Sequence, residues 1–126
     1  MIEYGTYSLD GNTEQRVAAN AWSKTGTTFT LTTLRSCPVG SVIIVTIATD
    51  NSQTTNGAAT QISGVTDSAG NTYSRLWEYA WARGAAQGGA EMAVFGTRVT
   101  STLGSGQTIT ITNTNSAYAR SAYASI

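Results

Sequence analysis

Apolar and polar residues alternate along much of this chain with a period of two. Between Thr27 and Leu34, Phe29 and Leu31 alternate with Thr28, Thr30 and Thr32. Between Gln107 and Asn113, Ile109 and Ile111 alternate with Thr108, Thr110 and Thr112. This period sends successive side chains to opposite faces, so each run predicts a half-buried β-strand. Ser41–Thr49 holds the near-continuous apolar run Val42-Ile43-Ile44-Val45-Thr46-Ile47. Such a run predicts a central strand buried on both faces. Gln61–Thr66, Thr72–Ala82, Glu91–Val99 and Ser116–Ile126 read as further strands, and no segment carries the 3.6-residue apolar period of a helix. Val17–Trp22 fits a short strand, a helical turn or an arm packed on a neighbour, and all three stay open.

The segments between these runs carry turn chemistry. Arg35–Gly40, Gly84–Gly89 and Ser101–Gly106 each place glycine between strand patterns. Asp67-Ser68-Ala69-Gly70-Asn71 separates two strand patterns by five residues and reads as a hairpin with a longer loop. In it Asp67 can accept hydrogen bonds from nearby backbone N–H groups, and Gly70 supplies a positive φ. Asp50–Thr60 is polar and reads as an exposed loop. Seven to eight short strands at this spacing predict an all-β fold, an antiparallel β-sandwich of immunoglobulin-like or jelly-roll-like type. The expected division is an irregular N-terminal arm or first strand over 1–26 and a sandwich domain over 27–126.

Composition sharpens this picture. The 126 residues suit one domain with a core that needs no staple. Thr is the commonest residue, with 22 copies, and suits half-exposed pleated surface. Charged residues make up only 11%, and seven bases balance seven acids. That balance lacks the clustered Lys and Arg of a nucleic-acid or membrane-surface binder, so neither partner is expected. A neutral, charge-poor surface suits a subunit of an assembly better than a free monomer. Met1–Asp10 has neither the basic start nor the apolar run of a signal peptide, and no apolar stretch is long enough to span a bilayer as a helix. Synthesis in the cytoplasm is the expectation if Met1 is the native start. The single cysteine, Cys37, reads as a small buried hydrophobe beside Pro38.

Val39-Gly40-Ser41-Val42-Ile43-Ile44-Val45, followed by Ile62-Ser63-Gly64-Val65-Thr66-Asp67-Ser68-Ala69-Gly70-Asn71-Thr72-Tyr73, resembles a recurrent β-sandwich module. That module occurs in phage virion proteins, of decoration and tail type, and in bacterial secreted or surface proteins. The resemblance covers roughly Thr27 to Ile126 and implies a sandwich that works by presenting surface.

Little catalytic equipment is present. The chain has no histidine, which removes Ser-His-Asp and Cys-His nucleophile systems and the usual zinc sites. Glu78 and Glu91 lie on strands joined by the Gly84–Gly89 turn and can approach each other as a glycosidase pair needs, but the plainer expectation is two exposed strand carboxylates. Asp50, Asn51, Asp67 and Asn71 can supply oxygens to calcium only if their loops meet at one end of the sandwich. Neither a metal nor another cofactor is expected, and the chain is read as non-enzymatic. Arg75, Arg83, Arg98 and Arg120 read as surface charge or as partners of scarce carboxylates.

The positive clue is one aromatic strand. Tyr73, Arg75, Trp77, Tyr79 and Trp81 occupy odd positions and are expected on one face, with Leu76 and Ala80 on the other. That aromatic face is half of the sandwich core, a protein interface or a sugar-stacking platform. With the resemblance, this leads to a non-catalytic structural subunit of a phage virion, most concretely a capsid decoration or cement protein. It would sit at the virion surface, homo-oligomeric (a trimer suits local three-fold positions), with the major capsid protein or another virion subunit as partner. The alternative is a carbohydrate-binding or adhesin module of a larger secreted or surface protein, with a glycan as ligand.

Overall fold

The computed structural model describes residues 7–9, 12–14, 16–23, 26–50, 53–59, 61–85, 88–114 and 120–126. Eleven strands lie among them: β1 (Tyr7–Leu9), β2 (Asn12–Glu14), β3 (Arg16–Ser23), β4 (Thr28–Thr32), β5 (Val42–Thr49), β6 (Gly57–Ala58), β7 (Ile62–Asp67), β8 (Ser74–Trp81), β9 (Ala90–Arg98), β10 (Thr108–Asn113) and β11 (Arg120–Ser125). A six-stranded sheet runs β3-β11-β5-β9-β8-β6, and a three-stranded sheet runs β4-β10-β7. All pairings are antiparallel. The two sheets pack face to face as a β-sandwich. The N-terminal region is more regular than expected, because β1 and β2 pair with each other and β3 takes an edge of the larger sheet beside β11.

The core is the product of the alternation read above. Phe29, Leu31, Ile109 and Ile111 point inward from the small sheet and are buried, while their threonine neighbours point out. Ile43, Val45, Ile47, Ala93, Phe95, Ala122 and Ala124 face them from the large sheet. Each buried Val, Leu, Ile or Phe side chain contributes about 1.5–3 kcal/mol, so this single layer dominates the stability. Cys37 is fully buried, and its backbone exchanges hydrogen bonds with Leu103. Burial pushes its thiol up from the ordinary value, outweighing the downward pull of Arg35. It packs as the small hydrophobe the sequence suggests.

Strand β5 corrects one expectation. It is central, between β11 and β9, but only Ile43, Val45, Ile47 and Thr49 are buried. Val42, Ile44, Thr46 and Ala48 alternate with them on the outer face and are exposed or half-buried. The unbroken apolar run therefore serves two purposes, with one half in the core and the other on the surface.

The Asp67–Tyr73 hairpin is tied by side chains. Asp67 Oδ1 accepts from the backbone N–H groups of Ala69 and Asn71, both at 3.0 Å. Its Oδ2 accepts from Asn71 Nδ2 at 2.9 Å and from the Tyr73 hydroxyl at 3.0 Å. Asn71 then reaches a second loop: its Oδ1 accepts from Thr100 N at 2.8 Å and Ser101 N at 2.9 Å, and its Nδ2 donates to Ser101 O at 2.9 Å. Gly70 completes the turn at φ 83°, a conformation that side-chain-bearing residues rarely adopt. The residues behind the family resemblance are thus a structural knot between two loops.

This knot has an alkaline signature. Burial, and then the charge and hydrogen bond of Asp67, hold the Tyr73 phenol well above its ordinary value. The folded state therefore keeps a proton that the unfolded chain releases near pH ~10. Stability from this group is complete below that pH and is lost above it, by about 1.4 kcal/mol per pH unit. Urea unfolding between pH 8 and 11 is expected to show a shallower alkaline decline for Tyr73→Phe than for the parent chain. Equal slopes would remove Tyr73 as the cause.

Candidate functional site

The expected aromatic face is split by a β-bulge. Along β8 and β9, Arg75 lies opposite Phe95, but the next partner pair is Trp77 and Val94, so Leu76 is the extra residue. A bulge of this kind changes which face the following side chains take. Upstream of it, Tyr73 is buried and the Arg75 guanidinium sits 5.6 Å from the Phe95 ring centroid, on the inner side. Downstream, Glu78 and Ala80 point into the sandwich, while Trp77, Tyr79 and Trp81 point away from it. The pairing of Leu76 with Ala80 on one face is overturned for the same reason, since Leu76 is exposed and Ala80 buried.

Trp77 and Trp81 are each 43% exposed, so the three outward aromatics are surface rather than core. They pack on one another. The Trp77 and Tyr79 rings are nearly parallel, 7° apart with centroids 6.2 Å apart. Trp81 tilts by 56° against Tyr79 at 4.8 Å. The neighbouring strands extend this surface: the register sets Trp77 beside Val94 and Thr46, and Tyr79 beside Met92 and Ala48. Leu76 and Ile44 lean over Gly96 from either side, because a Cβ there would sit 3.0 Å from Leu76 Cδ1 and 3.2 Å from Ile44 Cδ1. On the outer face of β5, β9 and β8 the charged side chain among the described residues is Arg98, at the rim opposite Val42. The result is a broad apolar sheet face with an aromatic ridge along one side.

The two carboxylates expected to be exposed are instead interior. Glu78 is 6% exposed and Glu91 is fully buried. They lie on one face of adjacent strands, Glu78 opposite Ala93 and Glu91 opposite Ala80. Glu78 Oε1 accepts from the Ile62 N–H at 2.9 Å, and Arg75 Nε lies 2.9 Å from Oε2 as an ion-pair contact. Glycoside chemistry needs a carboxylate pair that the sugar can enter, and this pair is enclosed.

The loops carrying Asp50 and Asp67 do not meet. Asp50 follows the end of β5 beside Gln61, at the start of β7, whereas Asp67 ends β7. Strand β7 separates them by roughly 17 Å at the rise of an extended chain. Both oxygens of Asp67 are also engaged within the hairpin knot. Asn51 lies outside the described residues, and among those described no group of three or more His, Cys, Asp or Glu gathers as a metal cluster. Of the other arginines, Arg83 and Arg98 are exposed, and the side chain of Arg120 lies outside the described residues.

The sequence reading missed the apolar surface on β5 and β9, although every second residue of each run signals it. It also missed the bulge, for which the adjacent apolar pair Leu76-Trp77 is a signal, because it breaks strict alternation. No protein-family model, curated protein or solved structure matches the chain.

Proposed function

We propose that this chain is a non-catalytic structural subunit that binds a protein partner through the outer face of its six-stranded sheet. The observation that carries this reading is the outward ridge of Trp77, Tyr79 and Trp81 on a sheet face where, among the described side chains of β5, β9 and β8, Arg98 at the rim is the one charge. Trp and Tyr dominate interface energetics because they bury large, rigid area at low entropic cost. Contiguous apolar surface of this kind marks interaction sites. Flat glycan platforms need coplanar rings flanked by hydrogen-bonding groups. Here Trp81 is tilted from its neighbours, and the adjoining rows offer Met92, Val94, Ile44 and Val42, which favours a protein surface over a sugar.

The virion setting rests on the resemblance of the Val39–Val45 and Ile62–Tyr73 segments to the module of phage structural proteins. Within it, a decoration or cement subunit fits best: a small sandwich whose apolar face covers the shell protein or a second copy of itself. Stabilisation of the shell then follows by mass action, since the subunit binds the assembled form.

The test is the double variant Trp77→Ala/Trp81→Ala. Both side chains are surface groups, so its melting temperature is expected to stay within a few degrees of the parent. Truncating two interface anchors is expected to weaken self-association, read by mass photometry, or binding to capsid shells, read by co-sedimentation, at least ~30-fold. Unchanged assembly and unchanged shell binding would sink the proposal. Loss of glycan binding in the same variant, with assembly intact, would move the function to the carbohydrate alternative.

A further inference from the structure

We infer that the end of the sandwich between Gln61 and Asn113 is a binding site for a hard divalent cation of the calcium type. Eight polar side chains are buried among the described residues, and five of them gather here: Thr49, Gln61, Glu78, Glu91 and Asn113. They are linked in a chain of contacts. Gln61 Nε2 donates to Thr49 Oγ1 at 3.0 Å, and Thr49 lies opposite Glu91 on the inner face. Glu91 is one row from Glu78, whose Oε1 takes the Ile62 N–H. Ile62 in turn lies opposite Asn113, the last residue of β10.

The second observation is what these bonds leave over. Gln61 and Asn113 are each 2% exposed. Gln61 Oε1 and both Asn113 side-chain polar atoms have no hydrogen-bond partner, and Glu78 Oε2 has the Arg75 ion-pair contact alone. Buried polar atoms are nearly always satisfied, and several orphans in one place point to a bound species. Gln61 Oε1 and Asn113 Oδ1 are amide oxygens, and the carboxylates of Glu78 and Glu91 lie alongside them. An oxygen donor set free of imidazole and thiolate selects a hard cation. Calcium fits such a mixed set of carboxylate and amide oxygens better than magnesium, which demands a rigid octahedron and retains its water. Arg75 sets the strength: its guanidinium contacts Glu78 Oε2 and competes with the metal for that oxygen. The affinity expected is that of extracellular calcium modules, on the order of 10⁻⁴–10⁻³ M. This site differs from the Asp50/Asp67 arrangement considered from sequence and shares none of its side chains.

The experiment is a thermal-unfolding and calorimetric titration of the chelator-treated full chain with CaCl₂ up to 10 mM, with MgCl₂ and NaCl at matched ionic strength. Calcium is expected to raise the melting temperature by about 5 °C, with a smaller response to magnesium. Glu91→Gln and Asn113→Ala are each expected to reduce the shift at least several-fold. Arg75→Gln, which removes the competitor, is expected to tighten calcium binding about tenfold. The Trp77→Ala/Trp81→Ala variant keeps the full shift, which separates this site from the sheet face. Equal responses to all three salts, or a calcium shift that survives both Glu91→Gln and Asn113→Ala, would overturn the assignment. The parent-chain titration decides the matter even if one variant fails to fold.

Discussion

Replacing Asn71 with alanine is expected to destabilise the fold by about 4 kcal/mol. Asn71 is 3% exposed and uses its amide fully. Its Oδ1 takes the N–H groups of Thr100 and Ser101, and its Nδ2 bridges Asp67 Oδ2 and Ser101 O. Alanine leaves several of these groups without a partner in a site too tight for easy hydration, at about 1–3 kcal/mol each. The melting temperature should fall by about 15 °C. Asn71→Asp separates hydrogen bonding from shape. It keeps an oxygen for the two N–H groups but sets a carboxylate against Asp67, so its pKa is raised and the proton is held more tightly in the folded state. Its stability is then expected to recover as pH falls from 7 towards 4, while Asn71→Ala shows no such recovery. Urea unfolding at the two pH values checks both. A cost below about 1 kcal/mol for Asn71→Ala would mean that the two loops hold together without this side chain.

The same hairpin illustrates what the sequence makes legible. Asp67, Gly70 and Asn71 announce a turn because their chemistry is local: an acceptor, a positive φ and an amide within five residues. The threonine-separated pairs Phe29/Leu31 and Ile109/Ile111 announce strands because a period of two has one physical cause. The burial of Glu78 and Glu91 could not be read this way. Their surroundings come from Ile62 and Thr49, which lie far along the chain and meet them only once the strands are assembled, and from Arg75, three residues before Glu78 but on the other side of the bulge. Residue type argued for exposure, because carboxylates are seldom buried without partners, and those partners were invisible. Strand β8 failed for a subtler reason. Its odd positions share one face only if no residue is inserted, and one bulge at Leu76 divides Tyr73 and Arg75 from Trp77, Tyr79 and Trp81. The question of whether the aromatics form core or surface thus had two answers, one on each side of the bulge.

Replacing Gly89 with alanine is expected to cost about 3 kcal/mol and to disturb the aromatic ridge from behind. A Cβ at Gly89 would lie 1.6 Å from the Trp81 carbonyl oxygen and 2.7 Å from its carbonyl carbon. Both are backbone atoms, so no rotamer change relieves the overlap, and the end of the β8–β9 pair must part. Forced overpacking of this kind typically costs about 1–3 kcal/mol, and a backbone clash sits at the upper end. Trp81 is paired with Ala90 and packs at 4.8 Å on Tyr79, so a shift of its carbonyl changes the coupling between the rings. The near-UV circular dichroism of Gly89→Ala should therefore lose intensity at temperatures where the chain is still folded. Gly64→Ala is the control, since a Cβ there meets nothing within 4 Å, and it should leave the spectrum unchanged. If Gly89→Ala weakens partner binding as much as the loss of Trp77 and Trp81, the geometry of the ridge matters as well as its area. Full binding with an altered spectrum would instead mean that apolar area alone drives the contact.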